Sequence, residues 1–339
     1  LKLHDIKNIG DFKSNFYRRL AFDEILASFL ISSEIRKKIK KIKKKSKNFS
    51  EILFNKIVNK LNFNLTNDQL NALEDINNDM RSKTKMFRLI QGDVGSGKTI
   101  VALITALNAI ESGYQVAFMA PTEILAKQHF NLTKNLFPNN INIQILTGKS
   151  DYFTKKKVNE LISTNKCNIV FGTHSLFQKK INFKKLGYII IDEQHKFGVK
   201  QRKQLSDKGG NDCDVLLMSA TPIPRTLIMS VYGDMDISII KEKPKHRKEI
   251  RTYSKLESKI DDVIKFVKYE VKNNNQVFWV CPLIDESKKI DHQSAVKKFE
   301  FLNKIFPNKV ALLHGKTDQD EKQKILNDFL NRKFQILVS

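Results

Sequence analysis

The chain has 339 residues, with 60 Lys and Arg against 36 Asp and Glu, giving a formal net charge of +24. Its 41% hydrophobic content and three cysteines supply ordinary cores for two domains but too few thiols for a disulfide framework. No apolar run approaches the ~18 residues of a membrane span and no signal-peptide pattern opens the sequence, so the expectation is a cytoplasmic protein with no membrane partner.

The charge has two readings. A balance this basic favours a polyanionic partner, and nucleic acid is the commonest. Lys also far outnumbers Arg, as a base composition rich in A and T would produce, and such lysines belong to solvated faces.

Residues 1–61 read as a helical segment. Phe12, Phe16, Leu20 and Ile25 recur at spacings near three and four, as on an amphipathic helix. From Ile35 to Lys47 lysine dominates, and Ile35, Ile39 and Ile42 form one narrow apolar stripe. This predicts a helix with a solvated cationic face; contact with a DNA backbone is the sharper alternative. Thr66-x-x-Gln69, with Asp68 beside it, is a capping box that opens the next helix. Phe63 and Leu65 just before it suit either a ligand pocket or the core.

From Met86 onward short apolar runs alternate with helical stretches. The strand-like runs are 87–90, 115–120, 141–146, 168–171, 188–191 and 215–218, and helices are expected over 99–111, 123–137 and 154–163. This alternation predicts an α/β fold with a mostly parallel, doubly wound sheet. A second series begins near Glu249, with strands at 250–253, 277–280, 310–313 and 335–338 and helices at 256–271, 290–305 and 321–330. Between the two series, Lys241 to Lys248 is polar, contains Pro244 and reads as a linker. The expected division is a helical segment at 1–61, a nucleotide-binding domain at 62–241 and a partial second domain at 242–339. The second series stops at an apolar strand pattern, as an incomplete sheet with an exposed Gln335–Val338 edge would.

The strongest local signal is Gly92-Asp93-Val94-Gly95-Ser96-Gly97-Lys98-Thr99. It is a complete G-x-x-x-x-G-K-[ST] loop between a predicted strand and a predicted helix. Its glycines let the backbone turn tightly into an anion nest at a helix N-terminus. Lys98 then reaches the β- and γ-phosphates of ATP, and Thr99 places a hydroxyl on Mg²⁺. Downstream, the apolar run Tyr188 to Ile191 ends in Asp192-Glu193-Gln194-His195. Ligands sit at the carboxyl ends of strands in open α/β sheets. Asp192 is thus placed to hold the Mg²⁺ shell and Glu193 to activate a water.

Ala120-Pro121-Thr122-Glu123, Gly172-Thr173-His174, the Asp192 box and Ser219-Ala220-Thr221 follow the P-loop in the order of superfamily 2 helicase motifs. Gln91 to Thr99, Asp192 to Val199, Thr221 to Thr226 and Arg19 to Glu24 resemble the RecG-type branched-DNA helicases. So do Pro282 to Ser287 and Leu312 to Gly315 of the second series. The nearest rival is the transcription-repair coupling translocase, and Gln194 favours the RecG type. A third possibility is a non-catalytic fragment that only binds ATP or DNA.

The resemblance implies two RecA-like P-loop domains, the second truncated, that close around ATP·Mg²⁺ and reopen on hydrolysis. It implies an ATP-dependent DNA helicase or translocase that remodels branched duplex DNA, such as stalled forks and Holliday junctions, in bacterial recombination and repair. The expected state is a monomer at the nucleoid. The resemblance gives Gln69 an adenine-reading role and Thr122, Thr173, His195, Ser219, Thr221 and Arg225 roles in DNA contact or coupling. For Thr122 and Thr173 the competing role is helix capping. The family's N-terminal wedge domain and late motifs with the arginine finger are absent from the sequence, so feeble hydrolysis by these 339 residues is expected. His174, His195 and His314 have no metal-ligand spacing, so no zinc site is expected. Trp279 suits a strand core better than a base-stacking site. Cys167, Cys213 and Cys281 read as buried free thiols.

Overall fold

The computed structural model describes residues 15–50, 52–148, 150–178, 180–193, 209–221, 235–244, 250–281, 288–313, 317 and 319–339. The chain divides into two compact units, 1–248 and 249–339.

The first unit opens with α1 (Asn15–Lys41) and α2 (Ile52–Val58). Next comes α3 (Asn67–Arg81), whose predicted capping box is complete: Thr66 accepts from the Gln69 amide, and the Gln69 side chain accepts from the Thr66 amide. The sheet strands are β1 (Phe87–Gly92), β2 (Gln115–Met119), β3 (Ile143–Leu146), β4 (Ile169–Gly172), β5 (Leu186–Ile191), β6 (Asp214–Ser219) and β7 (Asp236–Ile240). Helices α4 (Lys98–Glu111), α5 (Glu123–Leu136) and α6 (Tyr152–Ser163) lie between the early strands. All seven strands are parallel, in the order β3-β4-β2-β5-β6-β1-β7. The expected doubly wound parallel architecture is therefore present.

The strands read as unbroken apolar runs because both sheet faces are covered. One core gathers α3 and α4 with Ile90, Val116, Phe118, Phe171 and Ile190. The other gathers Leu89, Ala117, Ile189, Val215 and Leu217 with Val158 and Ile162 of α6. Helix α4 is buried over most of its circumference, from Val101 to Ile110, so it lacks the polar face of a surface helix.

The lysine-rich segment differs from expectation. Helix α1 ends at Lys41, and residues 42–50 run on without helix. They are fastened by the Lys43–Thr84 bridge and by the Lys44 and Lys47 amides donating to Lys83 O and Met80 O. Lys44 and Lys47 are not on a solvated face, nor open to a DNA backbone. Both ammonium groups are fully buried, and both donate to Asp214 Oδ2, at 2.6 and 2.7 Å. Asp214 begins β6, and its Oδ1 accepts the Met86 amide at 2.8 Å. The physical reason is that a buried carboxylate is costly unless paired, and these two lysines pair it.

Strand β7 has no counterpart in the expected strand set. It is half-exposed at the sheet edge, so it lacks a continuous apolar signature.

In the second unit, α7 (Ile260–Lys272), β8 (Val277–Trp279), α8 (Lys288–Ile305), β9 (Val310–Leu312), α9 (Gln319–Leu330) and β10 (Ile336–Val338) match predicted elements. Residues 250–256 form no strand. The sheet is parallel with the order β8-β10-β9. The last strand is therefore central and buried, not the exposed edge expected. Trp279 packs half-buried against this core. Among the described residues no helix is long and apolar enough to cross a membrane. Cys167 and Cys213 are buried free thiols, while Cys281 is only partly buried.

Candidate nucleotide and nucleic-acid site

Because every strand of the first sheet points the same way, the segments after β1, β2, β4, β5 and β6 emerge along one edge. Four of the predicted motifs and the P-loop meet there. β1 lies next to β6 and β7, whereas β2 lies two strands beyond β6. The connection leaving β1 thus runs toward β2, while that leaving its neighbour β6 runs the opposite way to β7, and such a switch point is where open α/β sheets bind ligands.

The loop itself is shaped by its glycines. Gly97 precedes α4 at φ 92°, in the left-handed region. A Cβ there would collide with the Gln69 amide, and one on Gly92 would lie 2.7 Å from Ile240 O. Lys98 is buried and donates to Gly92 O at 2.5 Å and Asp93 O at 2.9 Å. The helical bonding of α4 begins with the Ile100 and Val101 amides, which both donate to Gly97 O at 3.0 and 3.2 Å. Ser96 Oγ is buried with no hydrogen-bond partner among the described residues. Gln69 Nε2 donates to Ser96 O at 2.7 Å, so one end of its amide holds the loop and the other completes the cap of α3.

A cavity of about 430 Å³ opens over this loop, lined by Phe63, Gln69, Gly95, Gly97, Lys98, Thr99 and Pro244. Phe63 therefore lines the pocket, while Leu65 packs against the core. Pro244 belongs to the stretch expected to be linker. That stretch begins as a wall of the cavity, with the Lys241 and Glu242 amides bonded to Asp68 Oδ2.

Asp192 follows β5, and its carboxylate is 12% exposed. Oδ1 accepts the Glu193 amide at 3.0 Å, and Oδ2 lies 2.9 Å from His129 Nε2. His129 comes from α5 and was invisible as a site residue in the sequence, because it sits in an ordinary helical pattern. Glu193 has φ 51°, a conformation that costs a non-glycine residue about 1–3 kcal/mol and clusters at functional sites.

Thr122 caps α5, accepting the Leu125 amide at 3.3 Å. Thr173 stands before a short turn of helix over His174–Phe177 and makes no side-chain cap bond. Ser219 Oγ and Thr221 Oγ1 lie 2.9 Å apart, and Gln91 Nε2 donates to Thr221 O at 3.2 Å. That bond ties this motif to the strand that enters the P-loop. His195 and Arg225 lie outside the described residues, as do Gln194 to Val199, Pro222 to Thr226, Pro282 to Ser287 and His314.

The donors suit Mg²⁺. Thr99 and Asp192 offer hard oxygens, and among the described residues no cluster of three ligating side chains exists. Mg²⁺ keeps several waters and is held by one or two protein groups plus substrate phosphates. The Ser96 hydroxyl, without a partner among the described residues, and the glycine cradle are what a phosphate-shaped guest would complete.

Residues 66–229 match the DEAD/DEAH box helicase family model, and residues 258–339 match the helicase conserved C-terminal domain. The ATP-dependent DNA helicase RecG of Aquifex aeolicus is 44% identical over 346 residues, covering 100% of this chain and 44% of the relative. RecG of Thermotoga maritima is 43% identical, covering 95% and 41%. RecG of Bacillus subtilis is 43% identical, covering 95% and 48%. The chain thus spans less than half the length of these relatives. A structure of RecG bound to a three-way DNA junction superposes with a TM-score of 0.78 at 40% identity, over 95% of this chain and 42% of that one. Mss116p bound to single-stranded RNA and AMP-PNP shares the fold, with a TM-score of 0.63 at 19% identity over 85% of this chain and 63% of that one.

Proposed function

The chain belongs to the RecG-type helicases of superfamily 2, and from that premise we propose that it is the motor of an ATP-driven translocase that remodels branched duplex DNA. The observation that carries this reading is the convergence of P-loop, Asp192-Glu193, Thr122, Thr173 and Ser219 on one edge of a parallel sheet.

ATP enters the cavity with its base toward Phe63 and its phosphates in the loop. Lys98 exchanges its two carbonyl acceptors for β- and γ-phosphate oxygens, a stronger charge-assisted pair. Ser96 Oγ, buried with no hydrogen-bond partner among the described residues, gains one. Thr99 and Asp192 hold the Mg²⁺, which when bound neutralises developing charge on the phosphates. Glu193 orients and deprotonates the attacking water. Gln69 reads the adenine edge only if its amide leaves Ser96 O, so adenine selectivity and loop geometry are linked through one side chain.

On the same edge, Thr122 and Thr173 offer hydroxyls and backbone amides to phosphates of one DNA strand; such contacts set register and carry no sequence information. A recombination and repair role in a bacterial cytoplasm follows from the branched substrate.

The test is the low ATP turnover expected of these 339 residues, measured with no DNA, with linear duplex and with a synthetic three-way junction. Greater stimulation by the junction is expected. Equal stimulation by linear duplex would remove the branched-substrate reading. Loss of nucleotide binding in the wild-type chain would remove the site itself.

A further inference from the structure

We propose that His129 positions the Asp192 carboxylate and links it to the nucleic-acid end of α5, an inference that rests on the placement of Asp192 in the Mg²⁺·ATP site. The Nε2–Oδ2 distance is 2.9 Å and both residues are buried. An ionised carboxylate only accepts, so Nε2 carries the hydrogen and donates. The opposite oxygen is held by the Glu193 amide. Both oxygens are thus oriented, one by the segment carrying the water-activating glutamate and one by a different element.

The imidazole has little freedom. It lies against Phe118 with centroids 4.8 Å apart, and Phe118 lies against Phe171 at 5.0 Å. The His129 carbonyl accepts from Thr133 Oγ1 at 2.7 Å. Ala126, His129 and Thr133 are the buried residues of α5, and Thr122 precedes them at the same helical spacing. Seven residues separate Thr122 from His129, close to two turns or about 10 Å of rise. One stiff helical face therefore runs from a proposed phosphate contact to the metal-holding carboxylate. A shift of α5 when DNA engages Thr122 moves the donor on Oδ2.

A buried histidine satisfied by a carboxylate is also a plain packing solution, so the test needs a readout that packing alone does not move. A fluorescent ATP analogue is titrated into the 339-residue chain with Mg²⁺ and with EDTA. His129→Leu and His129→Gln are compared with wild type at matched thermal midpoints. Loss of a partner that orients a metal ligand typically costs about 10–100-fold in metal affinity. His129→Leu should therefore lose at least about tenfold of the affinity gained from Mg²⁺, with its EDTA affinity unchanged and the gain partly restored in His129→Gln. In wild type a three-way junction should alter Mg²⁺-dependent affinity; in His129→Leu it should not.

Equal loss in EDTA and Mg²⁺, or an undiminished Mg²⁺ gain in His129→Leu, overturns the proposal. No Mg²⁺ gain in wild type overturns the Mg²⁺ site instead. Should His129→Leu not fold, the Nε2–H resonance of the wild-type histidine decides. It should move when Mg²⁺ joins the nucleotide and again when DNA joins, and an invariant signal rejects the link.

Discussion

Replacing Asp214 by asparagine tests what fastens the N-terminal segment. The carboxylate is 0% exposed and takes one hydrogen bond from each of two ammonium groups that are themselves 0% exposed. Asn keeps the shape and can still accept from the Met86 amide, but leaves two buried cations without their carboxylate, facing the carbonyls Asp79 O, Met80 O and Asp212 O and, for Lys47, the Tyr114 ring. Removing one partner of a buried pair costs about 3–5 kcal/mol, about a fifth or more of the roughly 5–15 kcal/mol that holds a domain. At about 2–4 °C per kcal/mol for a unit of this size, the melting temperature should fall by about 6–20 °C. Lys44→Met should cost far less. The trio carries a surplus positive charge, and desolvation already lowers the Lys44 pKa below 10.5. A lysine whose folded pKa is depressed binds fewer protons than in the unfolded chain, so its contribution to stability rises with pH just below 10.5. Lys44→Met removes that burden and leaves a neutral Lys47–Asp214 pair. Circular-dichroism melts measure both variants, and limited proteolysis at 42–50 reports whether the strap has come loose. An Asp214→Asn loss under 3 °C, or a Lys44→Met loss equal to it, would refute the reasoning.

Glu193→Gln should bind ATP normally and lose turnover, since the side chain keeps its shape without its base; wild-type hydrolysis would move water activation to another residue. DNA affinity should fall with salt at about −0.9 logarithmic units per neutralised duplex phosphate, and a flat response would assign the +24 charge to composition. Burial pushes the Cys167 and Cys213 thiols up to about 12 from 9.0. The unfolded chain then loses those protons first, so stability should fall as pH rises from 9 toward 12. A thiol-specific chromogenic reagent at pH 8 should label Cys281 long before either; fast labelling of Cys213 would contradict its burial.

The legible parts of this molecule are those whose chemistry is local. Gly97 must be glycine because its own φ is positive and Gln69 occupies the space where a Cβ would stand. Thr66 and Gln69 satisfy each other across a single turn. Asp192 was legible because four apolar residues led straight to it. What stayed hidden depends on partners far away in sequence. Lys44 meets Asp214 across 170 residues, and a lysine-rich run reads as solvated until its counter-charge is known. His129 meets Asp192 across 63. β7 was hidden for a different reason: Asp236 and the buried Ser238 break the apolar run, and Ser238 is satisfied by Arg88 and Asp75, which lie far away in sequence.

The N-terminus of α3 shows how few interactions organise the cavity. Asp68 and Gln69 are successive residues in its first turn. Gln69 reaches inward to Ser96 O, and Asp68 reaches outward to the amides of Lys241 and Glu242, at 2.8 and 2.9 Å. The neighbouring Lys243–Asp93 ion pair spans 3.4 Å with side chains 48% and 56% exposed. Such a surface pair contributes about 0–1 kcal/mol, whereas hydrogen bonds to a charged group contribute about 1.5–3 kcal/mol each. The carboxylate of Asp68, not the ion pair, therefore holds residues 241 and 242. One helical turn fixes the P-loop from one side and the outgoing chain from the other. Pro244, two residues beyond Glu242, lines the same cavity as Gln69.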